Sequence, residues 1–207
     1  MSKLVFDIGA NIGNWALANL EKAGQIISVE ASPKTFQKLT ETCRPYLKIT
    51  CLNYAVCDSK DEEIVFYEAA FDTISTLNKD WLASDTSRFV NTPYSEIRCK
   101  PISLDKLIET YGLPELIKID VEGAEDIVLK SLSTKCTMVC FEWASEMNTV
   151  TYKCLDYLVN LGYTKFAIQN GDDYTYRPTD FIDINTVRSY LSTTVPKVDW
   201  GMIWCTV

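Results

Sequence analysis

The chain reads as an α/β protein, a mostly parallel β-sheet with helices on both faces. Three observations carry that expectation. Short apolar runs alternate with longer amphipathic ones, which is the βα repeat of a covered parallel sheet. The first apolar run leads straight into a glycine-bracketed turn, Asp7-Ile8-Gly9-Ala10-Asn11-Ile12-Gly13. Four core strands finish on a carboxylate, at Asp7, Glu30, Asp120 and Glu142. Hairpin-like signals late in the chain add an antiparallel strand at one edge.

Leu4–Ile8 is the first buried strand. A helix starts near Asn14 and covers Trp15–Ala23. Gln25–Val29 is the second strand and ends in Glu30. Pro33 suits a first helical position, and that helix runs to about Cys43. Ile49–Asn53 is the third strand. Ile64–Glu68 and Glu96–Ile102 alternate like strands, with a polar loop and a short helix around Trp81 between them. Ser103 caps a helix to about Tyr111, stopped by Gly112 and Pro114. Leu116–Ile119 is a fourth core strand, and Ala124–Leu132 the helix after it. Thr137–Phe141 is a fifth strand, ending in Glu142. Thr151–Leu161 is a helix stopped by Gly162, and Tyr163–Gln169 is a strand. Asn170-Gly171 signals a hairpin turn. Met202–Val207 closes the chain as a strand.

The 207 residues suit one domain, 1–207, with a sizeable core. A content of 47% hydrophobic and 23% charged residues is that of a soluble globular protein. The net charge of -8, from 20 Lys+Arg against 28 Asp+Glu, argues against nucleic acid as partner. It leaves a neutral acceptor such as a sugar open. No apolar run nears the roughly 18 residues that span a membrane, and no signal peptide is visible. The 8 Cys include no C-x-x-C pair, and there are 0 His, so a structural zinc site is not expected. The thiols read as reduced and the compartment as cytosolic. Without histidine, a general base has to be Asp, Glu, Lys, Tyr or a metal-bound hydroxyl.

The Asp7–Gly13 turn brings backbone N–H groups and the positive end of a helix towards a ligand. It is not the dinucleotide fingerprint, because an acid sits at the strand end and Asn11 replaces the middle glycine. An acid there repels a diphosphate and suits a cationic amino-acid ligand. Glu30, about twenty residues on, stands where an acid holds ribose hydroxyls in nucleotide-binding α/β folds. Taken singly, each acid could merely cap the helix after it. Four at once, gathered along one rim of the sheet, favour a ligand site, since open α/β sheets bind ligands beyond the strands' carboxyl ends.

Lys118-Ile119-Asp120-Val121-Glu122-Gly123-Ala124-Glu125 crowds carboxylates into one central turn. With this run, the chain resembles the FkbM family of S-adenosylmethionine (SAM)-dependent methyltransferases. The likeness also covers the Asp7–Gly13 turn, Glu30-Ala31-Ser32-Pro33, Asn53-Tyr54-Ala55-Val56-Cys57-Asp58, Ser75-Thr76-Leu77 and Ser103-Leu104-Asp105. The Lys118–Glu125 run is its most specific part. Ala31 stands where the family often has Pro, and Cys57 where it often has Gly.

The resemblance implies a Rossmann-like class I methyltransferase fold, with a seven-stranded sheet whose last strand is antiparallel. It implies SAM at the tips of the first strands. Asp7, Gly9, Asn11 and Gly13 would surround its methionine part, with Ala10, Asn14 and Ala31 also among the cofactor-binding residues. Glu30 would hold the ribose, and Asn53, Ala55 and Val56 would lie near the adenine. Asp120 and Glu122 would face the transferred methyl and the acceptor. Ser75 and Thr76 would close over the site, and Trp143, with less claim Tyr174 and Tyr176, could floor the acceptor. The base is expected among Asp120, Glu122 and Glu142. Asp120 and Glu142 could share Mg²⁺ or another divalent cation.

The expected activity is O-methylation of a sugar hydroxyl on a glycan or glycoconjugate, a deoxyhexose such as rhamnose being one candidate. Two other readings stay open: O-methylation of a non-sugar small molecule, and a non-catalytic SAM-fold domain that binds a partner. Relatives carry residues ahead of the first strand that help cover the cofactor. The early start here suggests a domain cut from a longer polypeptide, fused to or acting with glycosyltransferase domains. An in-frame stop codon just before the Met1 codon would sink that expectation.

Overall fold

A computed structural model describes residues 3–207. In chain order its elements are β1 (Leu4–Ile8), α1 (Asn14–Ala18), β2 (Gln25–Glu30), α2 (Pro33–Cys43), β3 (Ile49–Asn53), β4 (Ala55–Val56), β5 (Ile64–Ala69) and α3 (Asp80–Ala83). Then come β6 (Tyr94–Cys99), β7 (Pro101–Ile102), α4 (Leu104–Tyr111), β8 (Leu116–Ile119), α5 (Glu125–Leu129), β9 (Met138–Ala144), α6 (Asn148–Leu161), β10 (Lys165–Asn170), α7 (Ile184–Leu191) and β11 (Trp200–Thr206). Seven strands make the main sheet in the order β10-β11-β9-β8-β1-β2-β3. β1, β2, β3, β8 and β9 pair in parallel, and β11 lies antiparallel between β9 and β10.

The pleat sends alternate residues to opposite faces, and both faces are buried. Phe6, Ile8, Ile117, Ile119, Val139, Phe141 and Ile203 point to one face, under Leu107 of α4, Val128 of α5, Leu155 of α6 and Val187 of α7. Val5, Ile26, Leu116, Cys140, Met202 and Trp204 point to the other, under Trp15 of α1 and under Tyr174, Tyr176 and Phe181. The second face is thus covered partly by irregular chain. That matters for the site, because this chain runs to the rim.

Helix starts follow the capping rules. Ser32 accepts from the Thr35 N–H with Pro33 at the first position, Ser103 accepts from Lys106 N–H, and Asp183 accepts from Asn185 and Thr186 N–H. All eight cysteines are free, and all but Cys51 are buried. No helix among the described residues is long and apolar enough to cross a membrane.

Several sequence expectations need correction. The hairpin expected at Asn170-Gly171 does not form. Gly171 does turn, with φ +68°, but the chain then leaves on a long excursion that carries α7 before returning as β11. The single strand expected over 96–102 is two: β6 pairs with β5, and β7 pairs with β4. Pro101 cannot continue an antiparallel ladder as a donor, which fits the break. α1 and α5 are shorter than expected, while α6 starts three residues earlier, at Asn148. β9 continues to Ala144, so Glu142 lies inside a strand rather than at its end.

Candidate active site

The turn after β1 is held open by unusual backbone. Gly9 has φ +72° and Asn11 φ +48°. A Cβ on Gly9 would lie 1.7 Å from the Asp120 carbonyl oxygen, so only glycine lets this turn pack against the exit of β8. The Gly9 and Ala10 amides both donate to the Val29 carbonyl at 3.0 Å, which ties the turn to β2. Glu30 completes the lip. Its two carboxylate oxygens accept from Asn11 N–H at 3.0 Å and Ser32 N–H at 2.9 Å. Burial nonetheless pushes its carboxyl up to about 7.

Below this lip runs a buried polar row. Strand register aligns Ser28, Asp7, Lys118 and Cys140 side by side on one face. The Lys118 ammonium sits 3.2 Å from Asp7 and 3.4 Å from Asp120, and donates to the Gly9 carbonyl at 3.0 Å. Burial disfavours its charge, but the carboxylates of Asp7 and Asp120 outweigh that and hold its pKa above the ordinary lysine range. One side chain therefore joins the first turn to the acid at the end of β8.

One pleat above, the strand tips enclose a cleft of about 280 Å³. At the β2–β3 end it is lined by Glu30 and by Val29, Ala31, Ala55, Val56, Phe66 and Leu77. That is a carboxylate beside an apolar slot. At the centre, oxygens of Asp120, Glu122 and Glu142 lie within 4.8 Å of one another. At the β11 end, Asp172, Tyr174 and Trp200 form the wall. Crowding shows at the two glutamates. Burial first, then the neighbouring carboxylates, push Glu122 and Glu142 well above the ordinary carboxyl range. Close packing of like carboxyls disfavours ionisation of Glu122 and Glu142.

The central turn is braced from two sides. Glu122 has φ +59° and Gly123 φ +80°. From beneath, buried Glu125 accepts from Val121 N–H at 3.1 Å and Gly123 N–H at 3.3 Å. Burial raises its own carboxyl to about 8. From above, Asn78 donates to the Gly123 carbonyl at 2.7 Å, and the Trp81 ring lies against Gly123. The segment that carries Asn78 and Trp81 also reaches the first turn, where the Asn11 side chain donates to the Asp72 carbonyl at 3.0 Å.

Of the residues singled out in the sequence, Gly9, Ala10, Asn11, Asn14, Glu30, Ala31, Ala55, Val56, Ser75, Asp120, Glu122 and Glu142 line the cleft. Asp7, Gly13, Asn53, Thr76 and Trp143 stand outside its lining. Asp7 lies beneath, fully buried against Lys118. Gly13 opens α1, and a Cβ there would come within 2.8 Å of the Cys43 sulfur. Asn53 spends its amide on the Glu30 and Ala31 carbonyls. Thr76 is buried and bridges to Tyr67. Trp143 points to the opposite face from Glu142, as alternation demands, and packs edge-on to Tyr190 in the core. Of the two tyrosines after Gly171, Tyr174 reaches the cleft, while Tyr176 packs by Trp204.

Sequence reasoning missed Asp172, Trp200 and the braces Asn78, Trp81 and Glu125. Only Glu125 left a signal, as an acid opening a helix after a glycine.

Residues 7–165 match the methyltransferase FkbM domain. The chain belongs to the FkbM methyltransferase family. This FkbM domain is 30% identical over 141 residues to the hexuronic acid methyltransferase AglP of Haloferax volcanii, covering 67% of this chain and 53% of that protein. It thus spans about half the length of that relative. Among solved structures it is similar to the fibrillarin pre-rRNA processing protein of Methanococcus jannaschii, with TM-score 0.50 and 8% identity over 99% of this chain and 66% of that one. At that identity the two share a fold, the class I methyltransferase sheet. A precorrin-6y C5,15-methyltransferase from Geobacter metallireducens matches with TM-score 0.48 and 10% identity, covering 100% of this chain and 82% of that one.

Proposed function

We propose that the domain transfers the methyl group of SAM to a hydroxyl of a sugar on a glycan or glycoconjugate. The observation that carries this reading is the placement of the Asp120–Glu122–Glu142 cluster between the Glu30 slot and an aromatic wall. The slot suits SAM chemically: a carboxylate for the ribose diol, apolar side chains for the adenine, and nearby acids for a cationic ligand. When bound, SAM supplies an electrophilic methyl on a sulfonium. The protein's share is to orient a hydroxyl in line with that bond, exclude water and take the hydroxyl's proton. Carboxyls held above their ordinary range are better matched to that proton than exposed ones. Glu142 and Glu122 are therefore the favoured bases, with Asp120 beside them and near the Lys118 ammonium.

The same three carboxylates are the right donor type and spacing for a hard divalent cation such as Mg²⁺, which would acidify the hydroxyl. The sugar reading is supported by what the Haloferax relative's name says of that protein. The test is transfer of labelled methyl from SAM to glycosides, catechols and peptides, with and without EDTA. Label on glycosides is expected, with kcat falling roughly 10²–10⁴-fold in Glu142→Gln. Label on catechols alone would overturn the sugar reading, and indifference to EDTA would remove the cation.

A further inference from the structure

The β11 end of the cleft holds a second chemistry, distinct from the Glu30 slot. The sheet order puts β2 and β3 on one side of Asp120 and β9 and β11 on the other. Trp200 opens β11 opposite Ala144, two residues beyond Glu142, and alternation keeps it on the face that carries Glu142. It is 37% exposed, so its ring is open to a ligand from solvent. The Gly171 amide donates to its carbonyl at 2.9 Å, which brings the start of the excursion, with Asp172 and Tyr174, against the same wall. Asp172 and Tyr174 line the same cleft as Asp120, Glu122 and Glu142.

Its charge is lopsided. Glu30, Asp72, Asp120, Glu122, Glu142 and Asp172 all line the cleft, and Lys118 is the one cation among the lining residues. That ammonium is already engaged with Asp7, Asp120 and the Gly9 carbonyl. The nearest arginines are committed too. Arg88 is paired with Glu146, and Arg177 lies over the Trp15 and Trp204 rings with its guanidinium on Asn19. Among the described residues lining the cleft, an acceptor carboxylate would meet no unengaged cation and a crowd of carboxyl groups, of which Asp72 is paired with Lys38 and Asp120 with Lys118. Its ionised form would be disfavoured there, and desolvation adds to that cost.

We propose that Asp172, Tyr174 and Trp200 form the acceptor subsite, and that it takes an uncharged sugar ring and rejects a uronic acid. This rests on the reading of the domain as a sugar O-methyltransferase. Aromatic faces carry negative charge and suit the C–H side of a pyranose, whereas a carboxylate facing inward accepts from its hydroxyls. Excluding a charged acceptor by like charge is specificity through repulsion. The expected acceptor therefore differs in charge from the hexuronic acid in the name of the Haloferax relative.

The experiment compares matched pairs, a methyl pyranoside and the uronide identical to it except at C6, with SAM affinity measured calorimetrically alongside. Methyl transfer is expected to the neutral member of a pair. Trp200→Ala and Asp172→Asn are each expected to raise its KM roughly ten-fold while SAM affinity holds, the latter showing that the variants fold. Asp172→Lys is expected to bring the uronide into use. Equal or better turnover of the uronide by the wild type overturns the proposal and leaves the sugar reading standing. So does an unchanged KM in both Trp200→Ala and Asp172→Asn. Transfer only to a non-sugar acceptor overturns both. Absence of SAM binding by the wild type brings down the methyltransferase reading itself.

Discussion

Glu30 is a carboxylate asked to do two jobs. Each oxygen already accepts one backbone N–H, from Asn11 and from Ser32, and this fixes its orientation at the lip. Each also keeps a free lone pair to accept from a ligand hydroxyl. Burial raises its carboxyl to about 7, so near neutral pH it is divided between a neutral form, poor as a double acceptor, and an ionised one. If it holds the ribose diol, SAM affinity should rise with pH between about 6 and 8 and level off above. Glu30→Gln should bind SAM roughly ten-fold or more weakly, with the pH dependence gone. Calorimetric titration across that range checks this, and a variant that keeps the wild-type slope would show that another group is titrating.

The turn from Asp120 to Glu125 is the element on which the chemistry hangs. It carries two carboxylates of the cluster and takes two successive positive φ angles, which costs conformational energy at Glu122. The Asn78 bond to the Gly123 carbonyl and the Trp81 ring on Gly123 offset that cost from the far side of the cleft. Asn78→Ala should lower stability by about 1 kcal/mol and lower kcat, with SAM affinity nearly intact. Gly123→Ala should be worse, because its Cβ would press to 3.1 Å of the Trp81 ring in a backbone region unfavourable for alanine. Steady-state kinetics beside SAM titration separates the two effects. A loss of SAM affinity equal to the loss of kcat would mean the segment merely covers the cofactor. Part of this design was legible in the sequence and part was not. Apolar runs that end in an acid exposed the core strands, because burial on both faces leaves few other compositions. Trp143 was misplaced because β9 runs past Glu142, and strand parity then turns the next residue into the core. The wall of Asp172 and Trp200 was hidden because Asn170-Gly171 does signal a turn, whereas the path taken after it is set by packing of the excursion on the sheet.

At the scale of the whole molecule, the cleft is held against a gradient of charge. The folded chain keeps protons that the unfolded chain would release. Burial lifts Glu30 to about 7 and Glu125 to about 8, and Glu122 and Glu142 well above the ordinary range. Unfolded carboxyls titrate near 4.3. Between about pH 4.5 and 8 the native state therefore binds more protons than the unfolded one, and stability must fall as pH rises. The reverse limb belongs to Glu146, Asp173 and Asp183, whose carboxyls are held low by hydrogen bonds or by Arg88, against some burial. Their stabilisation is lost only in more acid solution. With 0 His in the chain, the usual source of titration near neutrality is missing, so the slope reports largely on the cleft. Tm should be highest near pH 5 and decline towards pH 8. Glu142→Gln removes one of the crowded charges, so it should flatten that decline and raise Tm at pH 8, by roughly 2–4 °C for each kcal/mol relieved. It should do so while losing activity, the trade expected where function is built from mutually repelling groups. Saturating Mg²⁺, if the cluster binds it, should flatten the wild-type slope in the same way, since a cation takes over the role of the bound protons. Thermal melts of both proteins from pH 5 to 8, with and without the cation, decide the matter. A wild-type Tm that stays level or climbs over that range would mean the cluster ionises without strain and is too weak a base for a sugar hydroxyl.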